Sequence, residues 1–134
     1  MKARIGLFAP IVFLLGASTA LAASPTYLGA EKCGKLCHKI QYNSWLETKH
    51  AKATTHKTGE FQGVQCEACH GAGSEYKALQ VMKSREKSIA AGLVIPSEKV
   101  CISCHNSAKM PDFKGFNFAE TSKKVHAHKP KGGQ

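Results

Sequence analysis

All six cysteines of this 134-residue chain fall in three pairs, and a histidine directly follows the second cysteine of each pair. The sites are Cys33-Gly34-Lys35-Leu36-Cys37-His38, Cys66-Glu67-Ala68-Cys69-His70 and Cys101-Ile102-Ser103-Cys104-His105. A C-x-x-C-H run is the attachment pattern of c-type haem: both thiols bond to the haem vinyl groups and the histidine binds the iron. The first site carries one residue more, C-x-x-x-C-H. Cys66/Cys69 with Cys101/Cys104 also match the four thiolates of a zinc ribbon, and six cysteines in an exported chain match three disulfides. Neither alternative accounts for the histidines. With 7 histidines in 134 residues, three chance placements have odds of roughly one in several thousand. The chain is therefore expected to carry three covalent haems, on Cys33/Cys37, Cys66/Cys69 and Cys101/Cys104, with His38, His70 and His105 as proximal iron ligands.

Each iron has a second face, which takes another histidine, a methionine or nothing. His50, His56, His126 and His128 are the candidate distal ligands, and a surface imidazole is the plain alternative for each. His50 follows Trp45 and Leu46 by five and four residues, on the apolar side of an expected helix. His38 and His50 are 12 residues apart, about 18 Å along a continuous helix. His50 is thus expected to serve a haem other than the one on Cys33/Cys37. His126 and His128 would point about 200° apart on a helix, so one of the two is expected to ligate. His56 falls in a loop. Met82 and Met110 are thioether alternatives, although methionines in such places more often pack.

The elements that must hold these residues read as mainly α with extensive loops. Residues 24–29 form an extended lead-in. A helix is expected through the first haem site into Lys39–Ala53, with an irregular apolar face of Ile40, Trp45, Leu46 and Ala53. Residues 54–65 read as a polar connector, and Gly71-Ala72-Gly73 as a turn after the second site. Ser74 is the expected N-cap of a helix from Glu75 to Ala91 that stops at Gly92. Pro96-Ser97 starts a short helix into the third site. Met110–Phe118, with Pro111 and Gly115, reads as loop, and a last helix is expected near Ala119–Ala127. No segment reads as a strand, so no significant sheet is expected. The haem sites recur at intervals of 33 and 35 residues, but the segments between them differ, which excludes a solenoid repeat.

The N-terminus reads as a secretory signal: Lys2 and Arg4, an apolar stretch from Ile5 to Leu15, and a small-x-small site at Ala20-Leu21-Ala22. The apolar stretch is shorter than the ~20 residues of a spanning helix. Residues 1–22 are expected to be removed, leaving one domain over 23–134 with a flexible tail at 129–134. No stable membrane insertion is expected afterwards. Attachment through paired thiols also calls for export, so the periplasm is the expected location. Large apolar residues are sparse after residue 22, which suits a chain that wraps porphyrins rather than building its own core. With 112 residues for three haems, the macrocycles must lie close together.

The segment 23–134 has 17 basic against 9 acidic residues, net +8. Six haem propionates bring this to about +2 with ferrous irons. Basic residues still cluster at Lys32/Lys35/Lys39, Lys83/Arg85/Lys87 and Lys123/Lys124/Lys129/Lys131. Such a surface suits acidic redox partners, other cytochromes among them, met as a monomer or weak oligomer. Nucleic acid is a poor fit for an exported chain with no recognisable nucleic-acid-binding motif.

Two stretches carry a family resemblance. One runs Tyr27-x-Gly29…Cys37-His38…Trp45…Lys49-His50-Ala51, and the other Gly63-Val64-x-Cys66-Glu67-Ala68-Cys69-His70-Gly71-x-Gly73. With Cys101-x-x-Cys104-His105…Pro111-x-Phe113…Phe118, they make the chain resemble the multihaem cytochrome c-554 family. The resemblance implies a helical, haem-packed fold, electron transfer in respiratory chains of the bacterial periplasm, and a distal role for His50. Three features depart from it. There are three haem motifs where the nitrification-type member has four. The first motif has an extra residue. Tyr76 stands where family members often place a ligating histidine. In plan the chain is also similar to small trihaem periplasmic cytochromes of metal-reducing bacteria.

The expected function is that of a diffusible carrier and not an enzyme, moving electrons from quinol oxidation toward terminal or extracellular acceptors in anaerobic respiration. The alternatives are a small haem enzyme or ligand-binding protein with one open iron, and a filament subunit that borrows a ligand from a neighbouring chain.

Overall fold

A computed structural model describes residues 23–128; the expected signal at 1–22 and the tail at 129–134, with Lys129 and Lys131, lie outside the described residues. The chain is mainly helical. In order it forms α1 (Ala30–Gly34), α2 (Lys39–Leu46), α3 (Lys49–Lys52), β1 (Lys57–Thr58), β2 (Phe61–Gln62), α4 (Cys66–His70), α5 (Leu79–Met82), α6 (Arg85–Ala90), α7 (Glu98–Ile102) and α8 (Phe118–Thr121). A 3-10 turn over Ser122–Lys124 extends α8. The strands pair antiparallel, Lys57 opposite Gln62 and Thr58 opposite Phe61. This two-rung hairpin lies in the segment expected to be a plain connector.

Even α2 has only 8 residues. Helices under about 12 residues are marginal alone, so caps and tertiary bonds must hold these. The expected helix over 39–53 is broken at Glu47–Thr48. Thr48 Oγ1 donates to the Trp45 carbonyl at 2.7 Å and accepts the Ala51 N–H at 3.4 Å, ending α2 and capping α3. The 18 Å separation argued for His38 and His50 therefore does not apply, because the rod it assumes is not there.

The expected helix over 75–91 is also two pieces. Ser74 does not cap it: its Oγ accepts the Thr26 N–H at 2.9 Å, and its own N–H donates to the Thr26 carbonyl at 3.3 Å. Ser84 turns extended and accepts the Lys87 N–H at 3.2 Å as the true N-cap, of α6. The buried Ser88 hydroxyl donates to the Val81 carbonyl at 2.9 Å across this break. The expected stop at Gly92 is present, with φ 98°. The Gly92 N–H reaches the Ile89 carbonyl and the Leu93 N–H the Ser88 carbonyl, the bonding of a Schellman motif.

Among the described residues the buried hydrophobics are Ala30 and Trp45. The Trp45 indole N–H donates to the Val64 carbonyl at 3.0 Å, and its ring stacks on Tyr42 at 5.7 Å. Leu36, Ile40, Leu79 and Ile102 are all exposed. Two of these lie inside the first and third cysteine motifs and Ile40 stands two residues after the first, which suits apolar groups meant to face a macrocycle. No described helix is long and apolar enough to cross a membrane.

Candidate haem sites

The three motifs make related local turns. At the third, the Cys104 and His105 N–H groups both donate to the Cys101 carbonyl, at 3.2 and 2.9 Å. At the first, the Cys37 and His38 N–H groups both donate to the Cys33 carbonyl, at 3.4 and 3.1 Å. The extra residue of C-x-x-x-C-H thus widens the turn by one position and keeps its connectivity. The second motif is a full turn of helix, α4, ended by Gly71 at φ 78°. A Cβ on Gly71 would stand 2.9 Å from the Gly92 carbonyl, so only glycine lets the chain pass there.

The second motif sits between the other two. Burial raises the Cys66 thiol to about 11, and nearby Cys33 adds to the rise. Burial also raises Cys69, and there the neighbouring charges are Cys101 and Cys104. All six cysteines are free thiols, with Cys37 exposed and the rest half-buried. The described residues contain no group of three or more His, Cys, Asp or Glu that could hold a metal ion by itself.

Two imidazole pairs face each other across the molecule. His50 Nε2 lies 3.5 Å from His105 Nε2, with ring centroids 5.7 Å apart and planes at 63°. Two metal–imidazole bonds of about 2 Å would set facing nitrogens about 4 Å apart, so this donor pair fits a shared iron. His70 and His126 form the second pair, with centroids 6.3 Å apart and planes at 36°. Both carry a fixed tautomer: His70 Nδ1–H donates to the Val94 carbonyl at 3.2 Å, and His126 Nδ1–H to the Ala127 carbonyl at 2.9 Å. Each Nε2 lone pair is left for a metal. Burial holds His50 and His70 below the usual histidine range, and each facing imidazole adds to that effect. Neutral rings are what iron ligation needs.

Sequence distance hides how these rings meet. His50 opens on α3, and the Gly63-Val64 segment closes on it: the Val64 N–H donates to the His50 carbonyl at 3.1 Å. Gly63 has φ 82°, and a Cβ there would press on the carbonyls of Ala53, Ala51 and His50 at 3.2–3.4 Å. His105 is backed by Phe113 and Phe116 at 5.8 and 5.7 Å. His126 is anchored by Ser44, whose Oγ accepts the Ala127 N–H at 2.6 Å.

The other candidates stand elsewhere. His126 and His128 both lie beyond the last helix with centroids 4.8 Å apart, so the opposed directions expected of a helix do not arise. His128 is exposed and His56 half-buried, and His56 contributes to the charge environment of His50. The Tyr76 hydroxyl donates to the His70 and Gly71 carbonyls at 3.1 and 2.8 Å. Burial, then the charges at Cys33, Glu67 and Cys66, raise this phenol well above its usual range. Met110 is exposed. Sequence reasoning assigned no role to Ser44, Val94 or Glu67; for Glu67 the signal was its place inside the C-x-x-C-H run.

Paired thiols followed by histidine, facing imidazoles and apolar side chains exposed at the motifs are the donor set that covalent c-type haem sites use. Comparison with known proteins places the chain more narrowly. The family described as cytochrome c554 and c-prime matches residues 32–60. Cytochrome c-554 of Nitrosomonas europaea is 46% identical over 48 residues, 36% of this chain and 20% of that protein. Over that stretch the chain is similar to cytochrome c-554, and the match spans about a fifth of the curated relative's length. No solved structure matches it.

Proposed function

We propose that the protein is a periplasmic electron-transfer cytochrome with three c-type haems, working in a respiratory chain and passing electrons toward terminal or extracellular acceptors. The haems would be held by Cys33/Cys37, Cys66/Cys69 and Cys101/Cys104, with His38, His70 and His105 as proximal ligands. His126 would complete the second site and His50 the third; His56 and His128 are the candidates opposite His38. Bound haem iron supplies a one-electron ferric–ferrous couple, and no substrate is transformed. The chain's own residues fix the imidazole tautomers of His70 and His126 and present lysines to acidic partners.

The observation that carries this reading is the facing of His50 on His105 and of His70 on His126. Irons capped on both faces exchange electrons without binding small molecules. The second motif's thiols also lie within electrostatic reach of both neighbours, as a relay requires. A filament subunit would offer His126 to another chain, whereas here His126 faces His70 of its own. Residues 1–22 would direct export and be removed.

The test is intact mass together with a spin-state count on the purified protein. Three haem increments on a chain beginning near Ala23, with at least two low-spin irons, are expected. Two increments would remove the first site. Rapid CO binding at two or more ferrous haems, or turnover of hydroxylamine or nitrite, would make the protein an enzyme.

A further inference from the structure

Glu67 lies between the two cysteines of the second motif and is only 2% exposed. Its carboxylate accepts backbone N–H groups alone. Oε1 takes those of Leu28 and Gly73 at 2.9 and 2.7 Å, and Oε2 those of Leu28 and Gly29 at 2.9 and 2.8 Å. A protonated carboxyl would point a donor at these donors, so the arrangement suits the anion. The amides come from two segments, the lead-in to α1 and the Gly71–Gly73 turn. Beside them the Ala30 N–H donates to Gln65 Oε1 at 2.8 Å. The carboxylate therefore fastens the approach to the first motif onto the second.

A fastening bond does not need a full charge, and a buried charge acts beyond its own bonds. At Cys33, burial and then the Glu67 carboxylate raise the thiol; Cys66 and Tyr76 also sense this charge after larger causes. At the third motif the carboxylate that acts on Cys101 is Glu98, which is exposed and screened by water. Adding an electron beside a buried anion is disfavoured, and amide dipoles lessen that field without cancelling it.

We propose that Glu67 is a potential-setting residue, a buried negative charge between the first and second attachment sites that favours the ferric state at both and leaves the third largely unaffected. This deepens the electron-transfer reading and rests on haem being attached at those cysteines. The electron comes from the electrode or a partner protein, and one electron enters per iron.

The experiment is a spectroelectrochemical titration of the haem-loaded protein and its Glu67→Gln variant, with sites resolved by assigned haem-methyl resonances. For the first and second sites the ferrous-to-ferric ratio at fixed applied potential should rise about tenfold, about 59 mV for one electron. That is the size a unit charge produces at roughly 10 Å in an effective dielectric of about 20. The third site should stay put, and Glu67→Asp, which keeps the charge, should stay near the native values. Unchanged potentials in Glu67→Gln, an equal shift at all three sites, or a Glu67→Asp shift as large as that of Glu67→Gln would each overturn the proposal. If Glu67→Gln does not mature, the native protein decides. Its Cys66/Cys69 site should titrate below its Cys101/Cys104 site, and the reverse order overturns the assignment. Intact mass separates the two failures: a native chain without haem ends the electron-transfer reading and this proposal with it, whereas three haems with no Glu67 effect end this proposal alone.

Discussion

His126 is the residue with the most to answer for, because it lies 56 positions from the ring it faces. With its Nδ1–H committed to the Ala127 carbonyl, its Nε2 lone pair is the one left for a metal. Replacing His126 by Ala should turn one low-spin iron high-spin, at the second site, with all haems still attached. His50→Ala should do the same at the third site, where His105 keeps Phe113 and Phe116 at its side. Absorption and EPR spectra check both. An unchanged spectrum would leave the altered residue a bystander. The Tyr76 hydroxyl is occupied by two carbonyls, so Tyr76→Phe should leave every spin state alone. Its cost is the loss of this one shared donor, about 1 kcal/mol, seen as a lower unfolding midpoint.

Short elements make single turns decisive. The α2–α3 break swings His50 away from the line of α2, and the Gly63-Val64 segment holds the swing in place. Gly63→Ala would set a side chain at φ 82° against three carbonyls. The left-handed backbone alone costs about 1–2 kcal/mol, and the displaced α3 turn should show as a mixed-spin third site. Thermal unfolding and the visible spectrum read the two effects separately. Ser84→Ala, by contrast, removes only the cap of α6. It should cost about 1 kcal/mol and leave the spectrum unchanged, since no candidate ligand rests on that helix.

As a whole, the described chain buries Ala30 and Trp45 as its apolar core and leaves ten large hydrophobics exposed. Full burial of one such side chain contributes about 1.5–3 kcal/mol, so two cannot offset the ordering entropy of a hundred residues. With the six cysteines changed to serine the chain should show no cooperative unfolding transition by circular dichroism. A sharp transition would mean that the polypeptide folds on its own. The exposed basic groups at Lys32/Lys39, Lys83/Arg85/Lys87 and Lys123/Lys124 carry the docking prediction; Lys35 is already paired with Glu31 at 2.9 Å. Oxidation by an acidic partner cytochrome should slow roughly tenfold between low salt and 0.15 M, where charges are screened within about 8 Å. A salt-independent rate would exclude steering by these lysines.

Much of the chemistry is local and was therefore legible in the sequence. Thiol spacing and the adjacent histidine lie within five or six residues, and so does the Gly92 stop, whose signal is one glycine after an amphipathic run. The mainly helical class followed from the same short-range patterns. Helix lengths were misread for a physical reason: Thr48, Ser84 and Ser88 carry hydroxyls that bond to nearby backbone and split helices that propensity alone would continue. The sequence marked His50, His56, His126 and His128 as imidazoles without obvious work, and could not pair them. Which ring meets which depends on the Gly63 crossing, the Ser44 anchor and the Val94 carbonyl, contacts between residues tens of positions apart. Glu67 shows the same division. Its place in the motif was plain, but its burial under the Gly73 amide and the distant Leu28 and Gly29 amides exists only once the chain has folded.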